Sequence, residues 1–195
     1  MKEKIKNILE NRPWRRIDGS TALTPAAVLI PLFCKEGAVH ALFTRRTDTV
    51  RHHKGQISFP GGAVHSEDRD LADTALRETY EEVGIKPEDV EVLGKLDQSR
   101  TITDYVITPF VGVIPHPYRY VVSPIEVDEI IEVPLSFIFD ESNLDFGPFN
   151  FEGVTLYRQY YRYDGAVIWG ATLRILDQLK ESLGSLLTRD QTCVP

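Results

Sequence analysis

The sequence predicts an α/β protein with a mixed β-sheet packed between helices, an α/β/α sandwich. Three observations carry that expectation. Ala26 to Cys34 is a nearly continuous apolar run, the mark of a buried strand. Leu71, Ala72, Ala75, Leu76, Thr79 and Val83 recur at helical spacing, and so do Leu173, Ile175, Leu176, Leu179 and Leu183 near the other end. Strand-like runs precede the first of these helices and separate it from the second, an order that layers helices on both sides of one sheet.

The 195 residues fit one domain, and 42% hydrophobic with 26% charged residues is ordinary globular composition. We divide the chain into an N-terminal helix and extension, residues 1–22, and a single domain, residues 23–195. In the first piece Ile5, Ile8 and Leu9 among lysines read as a short amphipathic helix, capping the domain or aiding a homodimer contact, and ended by Pro13. The run from Ala26 turns at Gly37 and returns as a strand over Val39 to Thr44, giving a hairpin. Gln56 to Phe59 reads as a short strand before Pro60 and two glycines. The helix that follows has Ser66, Asp68 and Asp70 as candidate N-caps and Gly84 as its left-handed stop.

Later, Val90 to Leu96 and Val106 to Ile114 read as strands, with polar Asp97 to Asp104 between them as a candidate lining for a site. Glu126 to Phe139 alternates acidic and apolar residues before an apolar end, a half-buried segment. Gly147 to Gly165 reads as a hairpin, tyrosine-rich from Val154 to Tyr163 because tyrosine forms strands well. Ile168 opens the final helix.

The chemistry gathers at Glu78, Glu81 and Glu82. On a helix these are neighbours three and four positions apart, so their like charges repel. An acidic helix face usually means only solvation. Here, however, a glycine turn stands at fixed distance and Arg77 precedes the first carboxylate, and a divalent cation would offset the repulsion. Gly62, Asp68 and Arg77-Glu78-Thr79-x-Glu81-Glu82-x-Gly84-Ile85 resemble the Nudix box, G-x5-E-x7-R-E-U-x-E-E-x-G-U, with U a bulky aliphatic residue. The box belongs to hydrolases of diphosphates linked to another moiety. Three departures stand out: Asp68 for Glu, eight residues between it and Arg77, and Thr79 at an aliphatic position.

The resemblance implies a Nudix-like α/β/α sandwich with a mixed sheet. It implies Glu78, Glu82, Glu81 and a carbonyl of Gly62 (or Gly61) as ligands of Mg²⁺ or Mn²⁺. Glu81 is a third ligand or the base, and Arg77 orients Glu78. A further acid from the later segment, Glu126 or Glu129, is a candidate to join them.

A second motif lies upstream. Leu42-Phe43-Thr44-Arg45-Arg46-Thr47, then Arg51, Gly55 and Phe59-Pro60-Gly61-Gly62, resembles the pattern preceding the box in the coenzyme A pyrophosphatase branch. Arg45, Arg46, Arg51 and Lys54 against the single Asp48 give residues 45–54 a net +3 in a chain of net charge −7. Arginine grips phosphate bidentately, so Arg45, Arg46 and Arg51, with Gln56 and Phe59, are the candidate substrate-binding residues. The implied substrate is coenzyme A or an acyl derivative. Other nucleoside diphosphate derivatives, and binding without cleavage, are the alternatives.

The acidic balance disfavours nucleic acid and acidic membranes as partners. No run reaches the ~18 apolar residues that a membrane span needs, and the charged N-terminus is unlike a signal peptide. Cys34 and Cys193 lie far apart without metal-ligand spacing, which suits a reducing, cytoplasmic setting.

Overall fold

The structure, a computed structural model, describes residues 2–17, 23–47, 55–151 and 153–187. Arg51, His52, His53, Lys54 and Cys193 lie outside them. The chain opens with helix α1 (Lys2–Asn11), followed by the hairpin β1 (Thr24–Lys35) and β2 (Ala38–Arg46). Glu36 and Gly37, at φ 53° and 79°, make its turn. Two short strands, β3 (Ile57–Ser58) and β4 (Gly61–Ala63), lead into helix α2 (Leu71–Val83). Then come β5 (Glu91–Lys95), β6 (Ser99–Arg100), β7 (Tyr105–Val113), β8 (Val127–Pro134), α3 (Leu135–Phe139), β9 (Leu144–Phe151), β10 (Val154–Tyr163), β11 (Ala166–Trp169) and α4 (Gly170–Leu187).

Strands β1 to β8 form one mixed sheet. Its central path runs β3-β2-β1-β7-β5, with β4 paired to β1, β6 to β7 and β8 to β2. The β1–β7 pair is parallel and the other pairings are antiparallel. Strand β1 explains why the apolar run had no alternation. Val28, Ile30 and Leu32 enter the large core beneath α1, α3 and α4, whereas Ala27, Leu29 and Phe33 enter the smaller clusters under α2. Successive side chains point to opposite faces, and helices cover both, so polar residues have no place along it.

Two expectations are corrected. Ile168 and Trp169 do not open the last helix. They end β11, a third strand beside the β9–β10 hairpin in a separate sheet, and α4 begins at Gly170. Nor does Asp97 to Asp104 line the carboxylate site. Arg15 and Ile17 donate backbone N–H groups to Asp97 and Gln98, and Arg174 and Gln178 of α4 bond Arg100 and Ser99. That segment ties the N-terminal stretch to the last helix.

Helix α1 is packed into the molecule. Ile5 and Leu9 are buried in the main core, and the bare backbone of Gly94 on β5 lies against Leu9. A Cβ at Gly94 would stand 2.6 Å from the Leu9 Cβ. Leu9→Ala should therefore cost about 2–5 kcal/mol, read as a drop in the urea midpoint. A loss under about 0.5 kcal/mol, the level of an ordinary surface change, would mean that α1 does not share the core.

Candidate active site at the glycine turn and helix α2

Helix α2 is fixed at both ends. Asp70 is the N-cap, accepting the Asp73 N–H at 2.9 Å. Gly84, at φ 74°, ends the helix with its N–H on the Tyr80 carbonyl. The last carbonyls are not left to solvent. Those of Glu82 and Val83 accept the N–H groups of Ser123 and Val121, at 2.9 and 3.0 Å. A loop thus satisfies the orphan acceptors at the helix end and carries the chain on to Glu126.

Three sides of the helix have different environments. Ala75, Thr79 and Val83 are buried. Thr79 can stand at an aliphatic position because its hydroxyl donates back to the Ala75 carbonyl at 2.6 Å, which leaves no unmet polar group. Glu82 is buried too, with only 4% of its side chain exposed. Glu78 is largely covered, while Glu81 is half exposed.

Gly61 and Gly62 are needed for different reasons. Gly61, at φ 151°, packs on β1, where an added Cβ would stand 2.4 Å from the Ala27 carbonyl oxygen. Its N–H donates to Glu82 at 3.3 Å. At Gly62 a Cβ would stand 2.5 Å from the Glu78 carboxylate carbon. The turn therefore touches both glutamates, and any side chain at 62 would displace one of them.

Arg77 binds the array together. Its Nε and Nη2 donate to the two oxygens of Asp68 at 2.8 and 3.1 Å, and Nη2 also donates to the Ala63 carbonyl. Its Nη1 donates to Glu78 at 2.8 Å and to Glu81 at 3.0 Å. Asp68, 3% exposed at its side chain, further accepts from the His65 N–H and the Thr74 hydroxyl. The shorter acid, one residue further from the arginine than the usual box has it, still makes a two-pronged clamp.

The electrostatics follow. Arg77 and the other donors hold the Asp68 carboxyl far below the usual carboxylate range. Burial pushes Glu78 up, opposed by Arg77 and reinforced by Glu81 and Glu126. Burial also pushes Glu82 up, to about 8, reinforced by Glu78 and Glu126 and opposed by Arg46 and the Gly61 N–H. Arg46 stands 3.6 Å from Glu82.

The other candidates separate. Arg45 pairs with Glu129 at 2.9 Å and, with Gln56, faces a cavity on the far side of β3. Phe59 is corrected: it is 2% exposed and stacked on Phe43 at 4.6 Å, so it supports the turn from inside the core and cannot meet a substrate. Of the two later acids, Glu126 acts on both buried glutamates, whereas Glu129 is held by Arg45. Alternation alone could not separate them; the loop's attachment to α2 does.

Among the described residues, no three His, Cys, Asp or Glu side chains converge closely enough to hold an ion by themselves. Two covered carboxylates beside bare backbone still suit a hard cation of the kind that keeps waters and shares one or two carboxylates with substrate phosphates.

A mixed sheet between helices, with a glycine turn pressed on the acids of a loop–helix–loop, defines a class of phosphoanhydride hydrolases. The chain belongs to the Nudix family: the NUDIX domain model matches residues 23–145. It is 39% identical over 158 residues to an uncharacterized Nudix hydrolase, NudL, of Photorhabdus laumondii, covering 81% of this chain and 84% of the relative. A NudL of Pectobacterium atrosepticum is 38% identical over 156 residues, covering 79% and 80%. Among solved structures, the Nudix hydrolase RenU of M. smegmatis aligns with TM-score 0.55 at 16% identity, over 84% of this chain and 88% of that one. The NUDIX domain of Shewanella oneidensis NrtR, complexed with ADP ribose, aligns with TM-score 0.54 at 16% identity, over 91% and 97%. These likenesses show the fold. The chain is a Nudix hydrolase acting on a nucleoside diphosphate derivative, a class that generally uses divalent cations.

Two outcomes follow from the site. Asp68→Asn leaves Arg77 without its buried counter-charge and should cost about 3–5 kcal/mol in stability, read by urea unfolding; a neutral result would sink the clamp. For Glu82, the folded protein holds the proton more tightly than the unfolded chain. Its contribution to stability is therefore complete below the ordinary value of 4.5 and is lost as pH rises through about 8. Metal-free protein should lose stability over that window relative to Glu82→Gln, and parallel pH profiles for the two would contradict the burial.

Proposed function

We propose that this Nudix hydrolase cleaves the diphosphate of coenzyme A or an acyl derivative, with Mg²⁺ or Mn²⁺, to 3′,5′-ADP and 4′-phosphopantetheine or its acylated form. The observation that carries the reading is the end of β2. Leu42 and Phe43 are buried, and the strand then releases Arg45 and Arg46 side by side, the second at the edge of Glu82. One cation of the motif that resembles the coenzyme A branch, Arg46, thus stands beside an acid of the box, while Arg45 pairs with Glu129. Arg45, Arg46 and Gln56, with Arg51, are assigned to the substrate's phosphates, which the metal alone does not neutralise.

Glu78, Glu82 and a backbone oxygen of Gly61 or Gly62 would hold the cation. When bound, it supplies charge neutralisation for the diphosphate and makes water at the site more acidic. Arg77 fixes the Glu78 carboxylate through its 2.8 Å bond. Glu81, half exposed, and Glu126 are assigned as the groups that accept a proton or join the ligands. Water supplies the oxygen that forms the new bond to one phosphorus, the bridging oxygen leaves with the other phosphate, and one proton passes to the base. The hydrolase unit is residues 23–195 with residues 1–22 preceding it, acting in the cytosol on a small-molecule substrate.

Incubation with Mg²⁺ and a panel of coenzyme A, ADP-ribose, NADH and dATP, read by phosphate NMR, should give the highest kcat/KM for coenzyme A. A clear preference for another member overturns the substrate. Glu78→Gln should lose most turnover with an unchanged circular dichroism spectrum; full activity in that variant would remove Glu78 from its central place.

A further inference from the structure

A cavity of about 370 Å³ lies at the edge of the main sheet, between the end of α1 and β5. Strand β5 ends the central path of the sheet, and its register against β7 slips between Val92 and Gly94. A bulge of this kind bends a strand and re-aims its side chains. Leu93 joins Leu9 in the main core, and Val92 packs with Phe110 under α2. All four line the cavity, so its floor is apolar.

The walls are charged. Lys6 and Glu10 of α1, Arg12 just beyond it and Lys95 of β5 line them, together with the Trp14 indole. Trp14 is fixed by its N–H, which donates to the Leu96 carbonyl at 2.9 Å. The Lys95 ammonium stands 3.6 Å from the centroid of that ring, a cation–π contact. Among the described residues neither Lys95 nor Lys6 has a carboxylate partner. Arg12 is held at one nitrogen, Nη2, which lies 2.9 Å from Asp97. Its Nη1 is buried with no acceptor. A covered donor without a partner is costly, and few are left so in a folded chain.

We propose that this cavity is a binding site, separate from the carboxylates of α2, for a small organic acid: a monocarboxylate with an apolar body. The carboxylate meets Lys95 and Arg12, with Lys6 at the rim, and the body lies on Leu9, Val92, Leu93 and Phe110. The volume falls within the ~300–1,000 Å³ of small-molecule sites. Charge decides the head group. Three cations against Glu10 and Asp97 leave one net positive charge, which matches a carboxylate better than a doubly charged phosphate. The guanidinium fork also fits a carboxylate in geometry. The inference stands apart from the proposed substrate, since it uses none of the residues assigned to the diphosphate.

Trp14 makes the site visible. The chain has two tryptophans, so in Trp169→Phe the emission reports Trp14 alone. Titration of that full-length variant with octanoate should change the emission along a saturable one-to-one curve, matched by calorimetry on the wild type. Octylamine, the same tail with a positive head, should bind at least about tenfold more weakly. The double variant Lys6→Glu, Lys95→Glu should weaken octanoate by at least about tenfold with an unchanged circular dichroism spectrum. No saturable response, equal affinity for octylamine, or unchanged octanoate affinity in the double variant overturns the inference. Binding should be the same in EDTA and in Mg²⁺, and the same in Glu78→Gln. Octanoate binding that disappears in Glu78→Gln belongs to the hydrolytic centre and overturns the separate site, whereas a preference for ADP-ribose over coenzyme A in turnover overturns the substrate alone.

Discussion

The guanidinium of Arg77 is the contact on which the site depends. It bonds Asp68 in the turn, the Ala63 carbonyl on β4, and Glu78 and Glu81 on the helix. Without it, Asp68 and Glu78 would be covered carboxylates with no cation beside them, and the turn would keep only the Gly61 N–H on Glu82 and the Thr74 hydroxyl on Asp68 as polar links to the helix. Breaking a buried pair of this sort leaves an uncompensated charge, which is why its two-pronged bond to Asp68 matters more than a surface ion pair would. The glycines are the steric counterpart. They let backbone approach where the arginine has positioned side chains.

The same arrangement leaves the site short of positive charge. Arg77 is committed largely to Asp68, and Arg46 reaches Glu82 only at 3.6 Å. Burial therefore outweighs Arg46 and the Gly61 N–H at Glu82, and Glu78 and Glu126 add to it. A scaffold selected only for stability would place leucine there. An acid kept in that position, one turn from a second acid and against bare backbone, marks a functional rather than a structural demand, in keeping with the proposed cation site. The two-sided sheet makes this tolerable, because the apolar faces of β1 supply cores above and below, and α2 is anchored by Ala75, Thr79 and Val83.

Much of this was legible in the sequence. The box gave the helix, its glycine stop and its acids, because helical spacing and capping chemistry are local. The apolar run at Ala26 gave the central strand for the same reason. Other features depended on pairings between distant residues. Phe59 looks like a surface aromatic next to a glycine turn until Phe43 is found beneath it. Asp68 looks like a helix cap, yet it is the buried partner of Arg77. Glu126 and Glu129 are equivalent in pattern and differ only because a loop bonds to the end of α2 while β8 pairs with β2. Trp169 reads as helix because β11 is short and runs directly into α4 at Gly170.

Residue 82 serves two neighbours at once: its carboxylate meets the glycine turn, and its carbonyl receives the Ser123 N–H of the segment that brings Glu126. A stretch of chain some forty positions downstream is thereby stitched to the acidic helix without belonging to it. Insertions or exchanges there could retune the acidity of the centre while every position of the recognised box stayed as it was. In this architecture the signature motif sets what chemistry is possible, and an unremarked connector acts as its rheostat.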